Sequence, residues 1–260
     1  MNDRGKSFLW RVVLFVGLLL LVALTPVACG STQTHSTRTP AATPQGTTIL
    51  TLRASAGAGG LGLPAWSPDG KYIAAGTDSP ARVFVWDAHT GRLLLTYQGN
   101  SASVSAVAWS PDSRYIASGD TGNLVKVWEA KTGKTLVKYT PHTYNIDTSI
   151  SSVAWSPDGT YIASNGYPDG SVQVWNAKTG ATLVDFKGQT GYAGTVAWSP
   201  DGRSIASGGA DKTIQIWEAL SGHVQYTYPG QAVGSLAWST DGTSIASVAD
   251  GTTVTVWQAR

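Results

Sequence analysis

A six-residue string, Ala-Trp-Ser-Pro-Asp-Gly, recurs along this sequence and limits the folds that are open to it. Three copies are intact and two are near copies, at residues 65–70, 108–113, 154–159, 197–202 and 237–242. The tryptophans of successive copies are separated by 43, 46, 43 and 40 residues. A period of this length indicates one supersecondary unit that is stacked several times.

Each repeat has the pattern of four short strands. In the second repeat, strands are predicted at residues 104–109, 115–118, 124–128 and 135–139, separated by turns that contain Asp, Gly, Pro or Asn. The third predicted strand of every repeat ends in a second tryptophan, at Trp86, Trp128, Trp175, Trp217 and Trp257. The composition agrees, because 30 Gly and 11 Trp with only 13% charged residues favour short strands and tight turns over helices.

The residues around the second tryptophan carry a resemblance to the WD40-repeat family. The tryptophan is followed by an acidic or amide residue in each repeat, as Trp86-Asp87, Trp128-Glu129, Trp175-Asn176, Trp217-Glu218 and Trp257-Gln258. The resemblance covers about residues 46–260. It implies an all-β fold, a propeller in which each repeat forms one four-stranded blade.

Members of this family also carry a tetrad of hydrogen-bonded His, Asp, Ser and Trp side chains. This sequence keeps the serine at Ser118, Ser164, Ser207 and Ser247. The usual Gly-His pair is largely missing, with His142 as its nearest equivalent, and the usual Asp is present only as Asp169 and Asp211. The resemblance therefore implies an incomplete polar network, with more of the stability supplied by buried tryptophan.

The last predicted blade has three strands, and the N-terminal part of the domain could supply the fourth. Residues 46–52 (GTTILTL) align with residues 91–97 (GRLLLTY), which form a predicted fourth strand. Pairing of this segment with the last blade would close a single five-bladed ring and leave no open sheet edge. A chain that closes its own ring is expected to be a monomer. The alternative is an incomplete ring that a second copy of the chain completes.

The chain begins with the features of an export signal. Residues 1–11 are basic, and residues 12–24 are an apolar run of 13 residues, shorter than the roughly 20 that span a bilayer. Ala28 and Cys29 then resemble the lipobox of bacterial lipoproteins, although Pro26 stands where an aliphatic residue is usual. In that family the cysteine carries the lipid and becomes the first residue of the mature protein.

These features predict three segments. Residues 1–28 are expected to be a lipoprotein-type signal peptide, with Cys29 as the site of lipid attachment. Residues 29–45 are rich in Ser, Thr and Pro and are expected to be a flexible, disordered stalk. Residues 46–260 are the predicted propeller, which a bacterial lipoprotein holds at the membrane outside the cytoplasm. An uncleaved single-pass signal anchor and plain secretion are the alternatives, and both also export the domain.

The sequence gives little indication of a catalytic, metal or nucleic-acid site. The leader of residues 1–11 accounts for the net charge of +2, so the rest of the chain is neutral and nucleic acid is not an expected partner. No two of the four histidines have metal-ligand spacing, and neither a catalytic residue, a metal site nor a cofactor is predicted. Aspartates recur in the Pro-Asp-Gly-like turns, where a structural role is predicted, at Asp69, Asp112, Asp158, Asp201 and Asp241.

Departures from the repeat indicate where a partner binds. The connection at residues 140–151 is the longest between predicted blades, and the turn at residues 165–170 is one residue longer than its counterparts in the second, fourth and fifth repeats. Both connections are expected on one face of the propeller. The candidate partner-binding rim consists of His142, Tyr144, Asp147, Tyr167 and Tyr192.

The sequence therefore predicts an extracytoplasmic protein-binding scaffold that a lipid tethers to the membrane, with a protein or peptide partner. The alternative is a propeller enzyme, a hydrolase or lyase, with an active site at the axis of the ring. That alternative requires polar side chains to converge near the first strands, where this sequence places mainly Ala, Val and Ser.

Overall fold

The computed structural model of the protein describes residues 48–55, 57–140, 148–191, 193–230, 233–249 and 252–259. These residues form β-strands, turns and connections, and no helix among them could cross a membrane. The predicted signal peptide, Cys29 and the predicted stalk lie outside the described residues.

The nineteen strands form five antiparallel sheets that follow one another along the chain. The first sheet contains β1 (Ala65–Trp66), β2 (Tyr72–Gly76), β3 (Val83–Asp87) and β4 (Leu93–Tyr97). The second contains β5 (Val104–Trp109), β6 (Tyr115–Asp120), β7 (Val125–Glu129) and β8 (Thr135–Tyr139). The third contains β9 (Ser149–Trp155), β10 (Tyr161–Tyr167), β11 (Val172–Asn176) and β12 (Thr182–Phe186).

The fourth sheet contains β13 (Ala193–Trp198), β14 (Ser204–Gly209), β15 (Thr213–Glu218) and β16 (Val224–Pro229). The fifth contains three strands, β17 (Val233–Trp238), β18 (Ser244–Ala249) and β19 (Thr253–Gln258). Each strand pairs with the next one in the chain, so every sheet is a meander. The predicted all-β fold and the repeated sheet are confirmed, and the four strands predicted in the second repeat lie within two residues of β5 to β8.

The turn between the first and second strands has the same construction in all five sheets. The aspartate accepts a hydrogen bond from the serine two residues before it and from the backbone N–H two residues after it. In the third sheet these bonds join Asp158 to Ser156 Oγ at 2.5 Å and to Thr160 N at 2.9 Å. Gly159 follows with φ of 70°, a conformation that glycine adopts without strain. The structural role predicted for the recurrent aspartates is confirmed.

Neighbouring sheets are joined by apolar cores between their faces. Val83 and Val85 of β3 lie in one cluster with Val104 and Ile116 of the second sheet. Equivalent clusters join the second sheet to the third, the third to the fourth and the fourth to the fifth. Four such seams, each made from the third strand of one sheet and the inner strands of the next, contain most of the buried apolar residues.

The first and fifth sheets do not form a seam of this kind among the described strands. Residues 48–52 are not assigned to a strand, and β19 has no fourth strand beside it. The predicted pairing of the N-terminal segment with the last sheet is therefore absent from the described part of the chain. A small cluster forms instead between Leu52 and the first sheet, where Leu52 packs with Phe84 and Trp86.

Candidate functional site

Two kinds of connection emerge at the same end of the sheets: the turns between second and third strands, and the connections that lead from one sheet to the next. We call this end the rim. Its parts are in close contact at the third and fourth sheets, because a Cβ placed on Gly170 would lie 2.0 Å from the carbonyl oxygen of Gly191. Only glycine allows the turn after β10 to approach the connection before β13 this closely.

Tyr167 is the one predicted rim residue that the structure describes. It is the last residue of β10, and 42% of its surface is exposed. His142, Tyr144, Asp147 and Tyr192 lie outside the described residues. The turn that follows Tyr167 contacts Gly191 through Gly170. Gly191 is the residue before Tyr192 in the sequence.

A buried asparagine, Asn165, forms hydrogen bonds to the backbone near Tyr167. Asn165 donates from Nδ2 to the carbonyl oxygen of Ala193 at 2.7 Å, and its Oδ1 accepts from the backbone N–H of Ser152 at 2.6 Å. In the turn itself, Asp169 accepts from the N–H of Ser171 at 3.0 Å. The bond to Ala193 joins the third sheet to the fourth, and the other two fix the backbone of the third sheet around Tyr167.

A second polar network lies under the rim of the second sheet. The indole Nε1 of Trp128 donates to Ser118 Oγ at 3.1 Å, and Ser118 Oγ donates to Asn100 Oδ1 at 3.0 Å. Asn100 Nδ2 lies 3.4 Å from Asp120 Oδ2, and Asp120 also accepts from the backbone N–H of Ser101 at 3.2 Å. All four side chains of this network are buried, which makes its hydrogen bonds costly to break.

The fourth sheet repeats this arrangement with glutamine. Gln189 Nε2 donates to Ser207 Oγ at 3.1 Å, and Ser207 Oγ also accepts from Trp217 Nε1 at 3.1 Å. The expectation of an incomplete network is wrong for the second sheet and only partly right for the fourth. In both sheets an amide side chain from the connection before the first strand bonds to the serine. The signal in the sequence was an amide four residues before β5 and before β13.

Hydroxyl groups on the inner strands are engaged in structural contacts between sheets. Ser105 Oγ donates to the carbonyl oxygen of Ile150 in the next sheet, and Ser151 Oγ donates to that of Ala193 at 3.2 Å. His89 and His223, the two histidines that the structure describes, lie in exposed turns. Within the described ranges, no three His, Cys, Asp or Glu side chains are grouped so that they could hold a metal ion.

A buried cation, Lys126, lies near the rim. Lys126 of β7 stands opposite Lys138 of β8 and close to Asp120. Burial lowers the pKa of Lys126, repulsion from Lys138 lowers it further, and attraction to Asp120 opposes both effects. The paired lysines place two cations side by side on the second sheet.

The repeated sheets and their tryptophan–serine bonds define a class of protein, the β-sheet repeat proteins with WD-type units. The family described as "WD domain, G-beta repeat" matches residues 91–129, 133–176, 180–218 and 221–258. These segments cover more than half of the sequence, and the chain belongs to this family.

A shorter similarity links the chain to a eukaryotic protein. The chain is 31% identical over 84 residues to "Eukaryotic translation initiation factor 3 subunit I" of Pyricularia oryzae. The similarity covers 32% of this chain and 23% of that protein, so the chain matches less than a quarter of the relative's length.

Each matched repeat straddles two sheets. The first match begins at Gly91, before β4 of the first sheet, and ends at Glu129, at the end of β7 of the second. Strands β1 to β3 of the first sheet precede the matched segments. In the same phase, the unit that contains them would begin at Gly46, which is the alignment predicted from the sequence.

Proposed function

We propose that the protein is a binding scaffold whose rim presents Tyr167 and its neighbours to a protein or peptide partner. The observation that carries this proposal is the fixed backbone beneath an exposed tyrosine, with Asn165 anchored to Ala193 and Gly170 against Gly191. A tyrosine held on a rigid backbone offers a large contact area at a small cost in conformational entropy. Membership of a repeat family whose members commonly bind proteins supports the same function.

We further propose that the scaffold acts outside the cytoplasm, tethered by a lipid on Cys29. The support is the sequence, in which a basic start, a 13-residue apolar run and Ala28-Cys29 precede a Ser/Thr/Pro-rich segment. A stalk of this composition would let the domain reach a partner at some distance from the membrane surface.

The binding proposal is tested with a photo-crosslinking amino acid placed at Tyr167 in intact cells. The matched control carries the same amino acid at Lys178, an exposed residue in the turn between β11 and β12, at the opposite end of the same sheet. We expect a reproducible crosslinked partner from position 167 and none from position 178. Equal labelling from both positions, or turnover of a substrate by the purified domain, would overturn the proposal.

The tether is tested separately with Cys29→Ser. Metabolic labelling with a fatty acid is expected to label the wild-type chain and not the variant, and the variant is expected to leave the membrane fraction. Ala28→Gly is the control, because it keeps both a small residue and the cysteine. A variant that stays in the membrane fraction without label would instead indicate an uncleaved signal anchor.

A further inference from the structure

The outer face of the fifth sheet exposes residues that the other sheets bury. Val254 and Val256 of β19 are 51% and 67% exposed. Their counterparts on the third strands of the other sheets are at most 2% exposed, namely Val83, Val85, Val125, Val127, Val172, Val174, Ile214 and Ile216. The difference arises because each of those sheets has a following sheet packed against it, whereas the described residues place none beyond the fifth.

The first sheet exposes the face that, in the other sheets, packs against the preceding sheet. Trp66 is 60% exposed, whereas its counterpart Trp109 in the second sheet is 7% exposed. At every seam, the corresponding tryptophan Nε1 donates to an alanine carbonyl of the preceding sheet. These bonds are Trp109 to Ala65, Trp155 to Ala108, Trp198 to Ala154 and Trp238 to Ala197, at 3.1 to 3.2 Å. The next carbonyl in this series is that of Ala237 in β17, and Trp66 has no such acceptor among the described residues.

An apolar cavity lies on this exposed face of the first sheet. Its volume is about 330 Å³, and its lining includes Leu52, Leu61, Pro64, Trp66, Ile73 and Trp86. In the second sheet, the counterparts of Leu61 and Ile73 are Val104 and Ile116, which β3 valines of the first sheet cover. The cavity therefore lies where a preceding sheet would place the side chains that correspond to Val254 and Val256.

The N-terminal segment already contacts the first sheet as a preceding fourth strand would. A Cβ on Gly91 would lie 2.9 Å from Leu50, just as a Cβ on Gly133 would lie 3.5 Å from Leu95, the residue aligned with Leu50. Leu52 packs against Trp86 where its aligned residue, a tyrosine of β4, stacks on the tryptophan of the second sheet. Leu50 and Leu52 thus contact the first sheet as the aligned residues of β4 contact the second sheet. The described residues contain no sheet to which this segment belongs as a fourth strand.

We infer that a second copy of this chain supplies the missing sheet, so that the fifth sheet of one copy docks on the first sheet of the next. The contact would repeat the seam that the chain builds four times within itself. Val254 and Val256 would fill the cavity, Trp66 would donate to the Ala237 carbonyl, and β19 would pair with residues 48–52 of the other copy. Each copy carries both halves of the interface, and its own two halves make no seam with each other in the described structure.

This association is head to tail, so it leads either to a closed ring of copies or to an open chain of them. This proposal takes up the alternative in which a second copy completes the ring, in place of the monomer that is expected if the chain closes its own ring. It does not depend on the proposed partner, because the surfaces involved are the end sheets and not the rim around Tyr167.

The test uses the full chain, purified in a mild detergent, and measures its mass by sedimentation after correction for bound detergent. We expect the wild-type mass to rise with concentration to multiples of the mass of one mature chain. Trp66→Asp places a charge on the apolar face of the first sheet, and Val256→Asp places one on that of the fifth. Each variant alone is therefore expected to be monomeric. Leu136→Asp is the matched control and is expected to associate like wild type, since Leu136 is 48% exposed on β8, away from both faces.

Mixing the two variants makes the test specific and shows that both are folded. Each variant retains one intact face, so an equimolar mixture is expected to form a dimer that grows no further. A wild-type chain that stays monomeric at every concentration would overturn the inference and indicate closure within one chain. Association that neither variant weakens, or a mixture that stays monomeric, would overturn it as well. Crosslinking from Tyr167 tests the proposed function independently of these results.

Discussion

The second and fifth sheets carry nearly the same residues on their third strands but differ in what surrounds them. Val127 of β7 is 1% exposed and Val256 of β19 is 67% exposed. Both strands pair with their second strands in the same register. The comparison shows that the repeat determines the local geometry of each sheet, whereas burial depends on whether another sheet follows.

This difference has an energetic consequence. In repeat proteins, stability is approximately the sum of the terms within each repeat and the terms at each interface. The four seams bury apolar side chains on both partners, and such burial contributes roughly 25 cal/mol per Å². Within one copy the end sheets lack one seam each, so for the monomeric chain we expect equivalent substitutions to cost less there than in the middle of the chain.

The largest expected effect is that of removing a tryptophan from the fourth sheet. Trp217 is fully buried and stacks on Phe186 with 4.4 Å between ring centroids. Trp217→Ala is expected to lower the free energy of unfolding by roughly 3–5 kcal/mol, because it empties a large core site. The equivalent change at the half-buried Trp257 is expected to cost less. Denaturant unfolding of both variants measures the difference. Equal losses of unfolding free energy would contradict the expectation that the fifth sheet is less well packed than the fourth.

The next effect concerns the buried hydroxyl under the rim of the second sheet. Ser118→Ala removes the partner of both Trp128 Nε1 and Asn100 Oδ1. It is expected to cost about 1–3 kcal/mol of unfolding free energy, since buried polar groups are left unpaired. Ser247→Ala is the matched change in the fifth sheet, where Trp257 donates to Ser247 at 2.8 Å but is half-buried. Water can reach Trp257, so a smaller loss is expected, and a larger one would show that the fifth sheet is covered.

A smaller effect is expected in the turns between first and second strands. Asp158→Ala removes the acceptor for Ser156 Oγ and for the N–H of Thr160. The expected loss is about 1 kcal/mol, because the turn is exposed and water replaces part of the bonding. The same change at Asp241 is expected to cost a similar amount, since the turn bonds are local to each sheet. Thermal unfolding of the two variants would reveal any dependence on position.

The smallest effect is a dependence on acid. Hydrogen bonds from the Ser239 hydroxyl and from Thr243 lower the pKa of Asp241 from 3.8 to about 2. A lowered pKa stabilises the folded state above pH 3.8, and this contribution is lost as the pH falls towards 2. Asp241→Asn is therefore expected to be less stable than wild type at neutral pH and to approach it near pH 2. Melting temperatures across this range test the prediction, and a constant difference would contradict it.

The periodicity was sufficient to predict the strands and the turns. Repeated tryptophans, Pro-Asp-Gly-like turns and alternating residues fix the strands because these interactions are local, and β5 and β8 have the predicted bounds. The amides Asn100 and Gln189 were missed because they occupy the same position in only two of the five repeats, in connections whose other copies carry different residues. The packing of the end sheets could not be predicted either, because it depends on surfaces far apart in the chain.

The candidate rim stays a prediction, and the structure describes one of its residues. Tyr167 is exposed as expected, and its turn contacts the connection that precedes Tyr192. Its support by Asn165 was not predicted, because an asparagine in a strand gives no indication that its side chain reaches the next sheet. Such contacts between sheets depend on the angle at which the sheets pack, and a linear pattern does not contain that angle.

The offset between the sequence repeat and the sheet has a consequence for how such a chain can change its length. A unit such as residues 91–129 contributes the last strand of one sheet and the first three of the next. Duplicating or deleting one whole unit therefore leaves no strand without a partner, since the three strands before the joint meet a compatible fourth strand after it. Arrays of this kind can grow or shrink by single units while every sheet at the new junction remains complete.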